Sequence, residues 1–168
     1  LGDGNLRYNG SGKSVFGRIN HSIKQKDYIL FKQKCLYNLT SEVKNYTAKI
    51  KNKEYNSLYF SFKSNIQLNP LYHLFYNKEG KKVIPLDLSL LTPRAIAFWF
   101  MDDGTASNPT IRIAACCFSK EDLERLCNFL KNTYGIEITI DKERKLYFKA
   151  KTKYIFKNLI SPYIISSM

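Results

Sequence analysis

The chain has 168 residues, enough for one compact domain or two small fused half-domains sharing a core. Hydrophobic residues make up 44%, which argues against disorder, and no run approaches the roughly 20 apolar residues that span a bilayer as a helix. The 27 Lys and Arg against 14 Asp and Glu give a formal charge of +13; such an excess repels itself in a compact state and calls for a polyanionic partner, nucleic acid ahead of an anionic membrane surface.

Taken in chain order, the predicted elements fall into two similar series. Asp3-Gly4 opens the first. A loop around Gly10, Gly12 and Lys13 leads to a strand over Val15 to Ile23, a helix over Tyr28 to Leu39, and strands over Tyr46 to Lys53 and Leu58 to Ser64. An aromatic-rich segment, Pro70 to Tyr76, closes the series. The punctuated stretch Asn77 to Thr92, with Gly80 and Pro85, reads as a connection. The second series opens with a helix through Ala95 to Met101 and Asp103-Gly104. It continues with a strand over Thr110 to Cys116, a helix over Glu121 to Tyr134, strands over Ile136 to Lys142 and Leu146 to Thr152, and a closing segment from Tyr154 to Ile165. Each series reads helix end, strand, strand, helix, strand, strand, helix. Two echoes in the same order indicate an internal duplication, with halves at 1–78 and 92–168 joined by 79–91.

The strands alternate with a period of two, as antiparallel sheets with one wet face do. Tyr46, Ala48 and Ile50 are expected on one face, with Thr47, Lys49, Lys51 and Lys53 on the other. Leu58, Phe60 and Phe62 oppose Tyr59, Ser61 and Lys63; Ile111 and Ile113 oppose Thr110 and Arg112; Leu146, Phe148 and Ala150 oppose Tyr147, Lys149 and Lys151. A solvated face would suffice to explain this. Coincidence of charge with alternation in both halves favours a sheet lying in a DNA major groove, which admits β-strands. The candidate DNA contacts are Arg18, Asn20, Lys49, Lys51, Tyr59, Ser61 and Lys63 in the first half, and Arg112, Tyr147 and Lys149 in the second.

The chemistry concentrates in Leu91 to Ser107, LTPRAIAFWFMDDGTAS. Thr92 is a natural N-cap and Pro93 fits the first helical turn. Ala95 to Met101 is apolar on every side and should be buried all round, with Gly104 as the residue that stops the helix. Asp102 and Asp103 then face the negative end of the helix dipole, a conflict that a divalent cation would relieve. Leu1-Gly2-Asp3-Gly4 looks like the last turn of an equivalent helix, so Asp3 matches Asp103. Two such helices packed side by side would bring both carboxylates together, able with bound metal to clamp a phosphodiester.

The segment Ile96 to Gly104 resembles the LAGLIDADG motif position for position, and the LTP lead-in, the IP-containing connection and the closing ISPYI segment are similar to single-chain, omega-type mitochondrial intron endonucleases. The resemblance implies an α+β fold of two pseudo-symmetric αββαββα halves. Their antiparallel, saddle-shaped sheets would cover double-stranded DNA, and the motif helices would be buried at the interface. It implies site-specific cleavage of both strands with Mg²⁺ or Mn²⁺, Asp3 and Asp103 as catalytic metal ligands, and an assisting lysine that falls on Lys82 within Lys81-Lys82-Val83-Ile84-Pro85. Asp102 stands where the family often has a small residue and is given no catalytic role. The chain opens at Leu1 without a methionine and is taken as part of a longer, monomeric parent chain. Most of the first motif helix, and a second lysine-bearing segment after Met168, are expected from that parent.

Two other readings compete. The same scaffold serves RNA-binding maturases, with intron RNA as partner and no cleavage; a structural basic protein would use Asp-Gly only to stop helices. Cys35, Cys116, Cys117 and Cys127 form no CxxC pair and are expected as buried thiols in a reducing compartment. His21 reads as a polar strand contact and His73 as a partly buried helix residue, not as paired metal ligands. Trp99 reads as core. Gly12-Lys13-Ser14 lacks the spacing of a phosphate-binding loop. The abundance of Lys, Asn, Ile, Tyr and Phe fits an AT-rich genome and suggests an organelle, mitochondrion or chloroplast; no membrane role is expected.

Overall fold

The computed structural model describes residues 2–51, 53–107 and 109–168; Leu1, Asn52, Asn108 and the Ile50 side chain lie outside the described residues. Two units emerge, one of Asp3–His73 with Ile165–Met168, the other of Gly2 with Leu74–Ile164. The first carries β1 (Asn5–Tyr8), β2 (Val15–Ser22), α1 (Lys26–Cys35), β3 (Lys44–Ile50) and β4 (Lys53–Asn65), followed by α2 (Asn69–Phe75). The second carries α3 (Pro93–Asp103), β5 (Gly104–Ser107), β6 (Thr110–Ala114), α4 (Lys120–Tyr134), β7 (Ile138–Ile140), β8 (Lys145–Phe148) and α5 (Lys153–Ile160). Each unit holds one antiparallel four-stranded sheet, ordered β1-β2-β4-β3 and β5-β6-β8-β7. The fold is α+β, and the duplication read from the sequence is a repeat of topology. Gly2 and Asp3 form a turn; Leu1, read as part of a helix end, lies outside the described residues.

Strand burial follows the pleat most cleanly in β2, where Val15, Gly17, Ile19 and His21 are buried and the residues between them are exposed. Register corrects the faces expected for β3. Asn45 pairs with Leu58, Thr47 with Asn56 and Lys49 with Glu54, whereas Tyr46 pairs with Ser57 and Lys44 with Tyr59. Directly paired residues share a face. Tyr46 therefore sits on the wet face, its ring 6.3 Å from that of Tyr59, and Lys49 sits on the face of Leu58 and Phe60. A one-residue difference in register inverts every side chain, and the alternation of β3 alone could not choose between the two. Lys51 occupies the hairpin tip at φ 48°, a left-handed position matched in the second sheet by Arg144 at φ 61°.

The second unit owns the larger core. Ile96, Ala97 and Trp99 of α3 join Ile111 and Ile113 of β6, Leu123, Leu126 and Leu130 of α4, Leu146 and Phe148 of β8, and Phe156 and Ile160 of α5. Burial of each such large side chain contributes about 1.5–3 kcal/mol. Helix α4 shows why its sequence is helical: its three buried leucines recur every three or four residues. The Ser119 side chain caps its first turn, and Gly135 at φ 68° ends it in the left-handed conformation. Residues 79–91 pack onto this unit. Ile84, Leu88 and Leu91 are buried in its core, Arg125 donates to the carbonyls of Ile84 and Pro85, and the Tyr134 hydroxyl donates to the Leu91 carbonyl at 3.0 Å.

The thiols are not buried as expected. Cys35, Cys116 and Cys117 are exposed and Cys127 is half-buried. Cys35 ends α1 on its outer side. Cys116 and Cys117 lie in the turn closed by the Phe118 N–H on the Ala115 carbonyl, past the last alternating residue of β6. Burial, then the Glu124 carboxylate, pushes the Cys127 thiol up to about 11, so it stays protonated and unreactive. No helix among the described residues is long and apolar enough to cross a membrane.

Candidate functional site

Helix α3 aims the chemistry of the second unit. The Thr92 hydroxyl accepts from the Ala95 N–H at its start, and the helix runs through Asp103. Gly104 stops it, as expected, with an extended backbone at φ −85°, ψ 157° that passes directly into β5. Glycine is needed there for space, because a Cβ would stand 2.3 Å from the Phe100 carbonyl oxygen. The burial of α3 is also incomplete: Ile96, Ala97, Trp99 and Met101 are buried, whereas Ala95, Phe98 and Phe100 are half-buried. Ala95 and Phe98 line an apolar cavity of about 230 Å³ with Phe75, Leu88, Leu91 and Trp99.

The Asp103 carboxylate accepts a hydrogen bond from the Trp99 indole N–H at 3.0 Å, one turn back along α3. Trp99 is core, as its sequence context suggests, with an edge-to-face contact on Phe118, and it is also the donor that orients the candidate acid. Asp102, its neighbour in the chain, is half-buried. Gly2, at φ 71°, packs so closely against it that a Cβ would lie 2.3 Å from Asp102 Oδ2. Lys82 is half-buried in an isolated bridge with Tyr76, and its ammonium donates to the Gly2 carbonyl at 2.5 Å, so it reaches the residue next to Asp3 in the chain. Lys82 and Asp103 both act on the Cys117 thiol, in opposite directions. Burial is the largest cause of that thiol's upward shift and Cys116 the next; Lys82 opposes the shift and Asp103 adds to it.

In the first unit, Asp3 Oδ2 lies 3.4 Å from His21 Nδ1. His21 is buried at 3% exposure and so is Lys32 at 4%; the Lys32 ammonium stands 3.1 Å from His21 Nε2 and 4.3 Å from the centre of the Tyr28 ring. His21 is the polar strand contact expected of it, but its burial beside Asp3 and the burial of Lys32 were not foreseen. The signal was available: His21 falls on the inward phase of β2 with Ile19, and Tyr28 and Lys32 stand one turn apart on α1. Lysine in the apolar stripe of a short helix is otherwise read as solvent-facing. His73, expected to be partly buried, is exposed and bonds to the Tyr8 hydroxyl at 2.9 Å.

Asp3 also borders an open concavity of about 420 Å³ with Asn5, Arg7, Phe16, Gly17, Arg18 and Asn20. On the same wet face, Arg18 pairs in register with Ser61 and Asn20 with Tyr59, and the Arg18 guanidinium lies over the Tyr59 ring at 4.2 Å. Lys63 is exposed where the register between β2 and β4 shifts, between the pairs Gly17–Phe62 and Val15–Asn65. Lys49, opposite the wet face, is ion-paired with Glu54 at 3.1 Å, and Lys51 is in the hairpin tip. In the second sheet Arg112 pairs directly with Tyr147. Lys149 follows β8 and is tied to Glu137 at 3.1 Å. Hydrogen bonds from Lys151 and Lys149 hold the Glu137 carboxyl below the ordinary range.

Comparison with known proteins gives these residues a family. The model of the LAGLIDADG DNA endonuclease family matches residues 1–156. The cytochrome b mRNA maturase bI2 of Saccharomyces cerevisiae is 38% identical over 112 residues, 60% of this chain and 26% of that protein. The DNA endonuclease I-ChuI of Chlamydomonas applanata is 25% identical over all of this chain and 88% of its own length. Among solved structures, the homing endonuclease I-WcaI bound to its DNA recognition sequence superposes with a TM-score of 0.88 at 25% identity, covering 99% of this chain and 79% of the other. The chain spans less than half the length of the first curated relatives it matches. With its motif helix and two sheets of like topology, the chain belongs to the LAGLIDADG DNA endonuclease family.

Proposed function

We propose that the chain is the core of a site-specific homing endonuclease that hydrolyses both strands of double-stranded DNA with Mg²⁺ or Mn²⁺. The observation that carries this reading is the pair of oriented acids at matching places in the two topological repeats: Asp103 held by Trp99 and Asp3 beside His21. Both are carboxylates, the donor type that hard divalent cations take, and Asp103 ends a helix whose dipole disfavours an uncompensated negative charge. Asp3 and Asp103 would hold the metal, which when bound supplies Lewis-acid stabilisation of charge developing on the phosphate. Lys82 contributes a fixed positive charge for the same purpose. Arg18, Asn20, Tyr59 and Ser61, with Arg112 and Tyr147, lay hydrogen-bonding groups along the wet faces, and Lys63 an exposed ammonium, for base edges and phosphates. An organellar intron is the setting this reading implies, with the parent chain acting as a monomer.

Cleavage of a randomised duplex library in Mg²⁺ tests the proposal. It predicts site-selective double-strand breaks with short 3′ overhangs, lost on chelation. Uncut DNA at all Mg²⁺ concentrations would overturn it. A second reading, an RNA-binding maturase without cleavage, is favoured by the 38% identity to a protein named for mRNA maturation. It predicts intron RNA outcompeting duplex DNA at matched salt, since both share the electrostatic part of binding.

A further inference from the structure

Behind Asp3 stands a polar chain inside an otherwise apolar interior. His21 and Lys32 are buried among Ile19, Ile29, Leu58 and Phe60, and burying an ammonium is costly unless it is partnered. An ammonium has three donors and no acceptor, so across the 3.1 Å contact Lys32 donates and His21 Nε2 accepts. A neutral imidazole carrying a lone pair on Nε2 has its hydrogen on Nδ1. That N–H is hydrogen-bonded to Gln25 Oε1 at 3.3 Å, and Nδ1 also lies 3.4 Å from Asp3 Oδ2. The Tyr28 ring completes the cage: it carries the Lys32 ammonium at 4.3 Å and lies 5.0 Å from the His21 ring.

We infer that Lys32 and His21 are positioning residues for Asp3: Lys32 locks the Nδ1–H tautomer of His21, and that N–H orients the Asp3 carboxylate. The inference rests on the reading of Asp3 as a metal-holding acid. Groups that orient a ligating side chain in this way typically matter about 10–100-fold for metal affinity or activity when removed. The second unit solves the same task differently, with the indole N–H of Trp99 on Asp103.

The test pairs a spectroscopic readout with Mg²⁺ titration of DNA cleavage. Long-range ¹H–¹⁵N correlation of the imidazoles reports the His21 tautomer directly. The expected result is the Nδ1–H form in the parent protein and its loss in Lys32→Met. In cleavage, Lys32→Met and His21→Leu should raise the Mg²⁺ concentration for half-maximal rate by about 10–100-fold. His21→Asn, whose amide places an N–H near the position of Nδ1, should restore most of it. An Nε2–H tautomer in the parent protein would overturn the inference. So would an unchanged tautomer and Mg²⁺ requirement in Lys32→Met, or equal behaviour of His21→Leu and His21→Asn. Should Lys32→Met lose its dispersed spectrum, the two His21 variants decide. If the parent protein cuts no DNA, the endonuclease reading fails, while the tautomer measurement still decides whether Lys32 governs His21.

Discussion

Helix α4 of the second unit is capped at both ends, carries Glu121 and Asp122 in its first turn, and buries three leucines. Helix α1 of the first unit starts without a side-chain cap and buries Tyr28, Ile29 and Lys32. Their sheets share one strand order, yet the apolar core beneath the second is extensive, whereas that beneath the first centres on Ile19, Ile29, Leu58 and Phe60. The charge is divided as unevenly. Residues 3–73 hold 12 Lys and Arg against 4 acids, and residues 74–164 hold 15 against 10. The contrast teaches that a duplicated topology does not oblige duplicated interiors. The second unit gives its interior to packing; the first gives part of it to polar groups that converge on Asp3.

This difference can be broken by experiment. The largest effect is expected on stability. Leu126→Ala and Ile29→Ala should each cost about 2–5 kcal/mol, but in the parent protein the amides of β2 and β4 should exchange with solvent before those of β6 and β8, because local stability follows buried apolar contact. Hydrogen exchange with assigned amides checks it, and equal protection in both sheets would remove the asymmetry. A smaller effect isolates the orientation of Asp103. Trp99→Phe keeps an aromatic ring but removes the N–H; a hydrogen bond to a charged group is worth about 1.5–3 kcal/mol, so cleavage should fall about ten- to a hundred-fold, with the melting temperature changed far less than by Leu126→Ala. The smallest concerns Glu137. Its carboxyl is held below the ordinary value near 4.5, so its contribution is complete above that value and is lost as pH falls through the lowered one. Glu137→Gln should lower stability slightly at neutral pH, as loss of a surface ion pair does, and the difference from the parent protein should vanish as pH falls below about 4.5.

Much of this was legible in the sequence, for physical reasons that differ by residue. Helix α4 and strand β2 carry strong periodicity and clear boundaries, and they appear where the pattern puts them. Asp103 stood out as a candidate because an acid before glycine at the end of an apolar helix is electrostatically anomalous. Strand β3 was misassigned to a face because Tyr46 is apolar enough for either side, and only pairing with β4 fixes its register. Gly104 was legible as the helix stop but its reason was not, because conformation and crowding both select glycine and a sequence does not distinguish them. Lys32 was hidden because its burial depends on a histidine eleven residues away, a tertiary partnership that no local pattern encodes. Cys116 and Cys117 were placed inside because cysteine is usually buried, whereas a turn carries them out.

The most direct test of the account is cleavage of a selected duplex site in Mg²⁺ by Asp3→Asn, Asp103→Asn and Asp102→Asn, each checked for folding by its near-ultraviolet circular dichroism. The account predicts at least a thousand-fold loss for the first two, since each removes charge from a metal-holding position worth several kcal/mol, and a much smaller change for Asp102→Asn. Full activity in either Asp3→Asn or Asp103→Asn, with the fold intact, would contradict it.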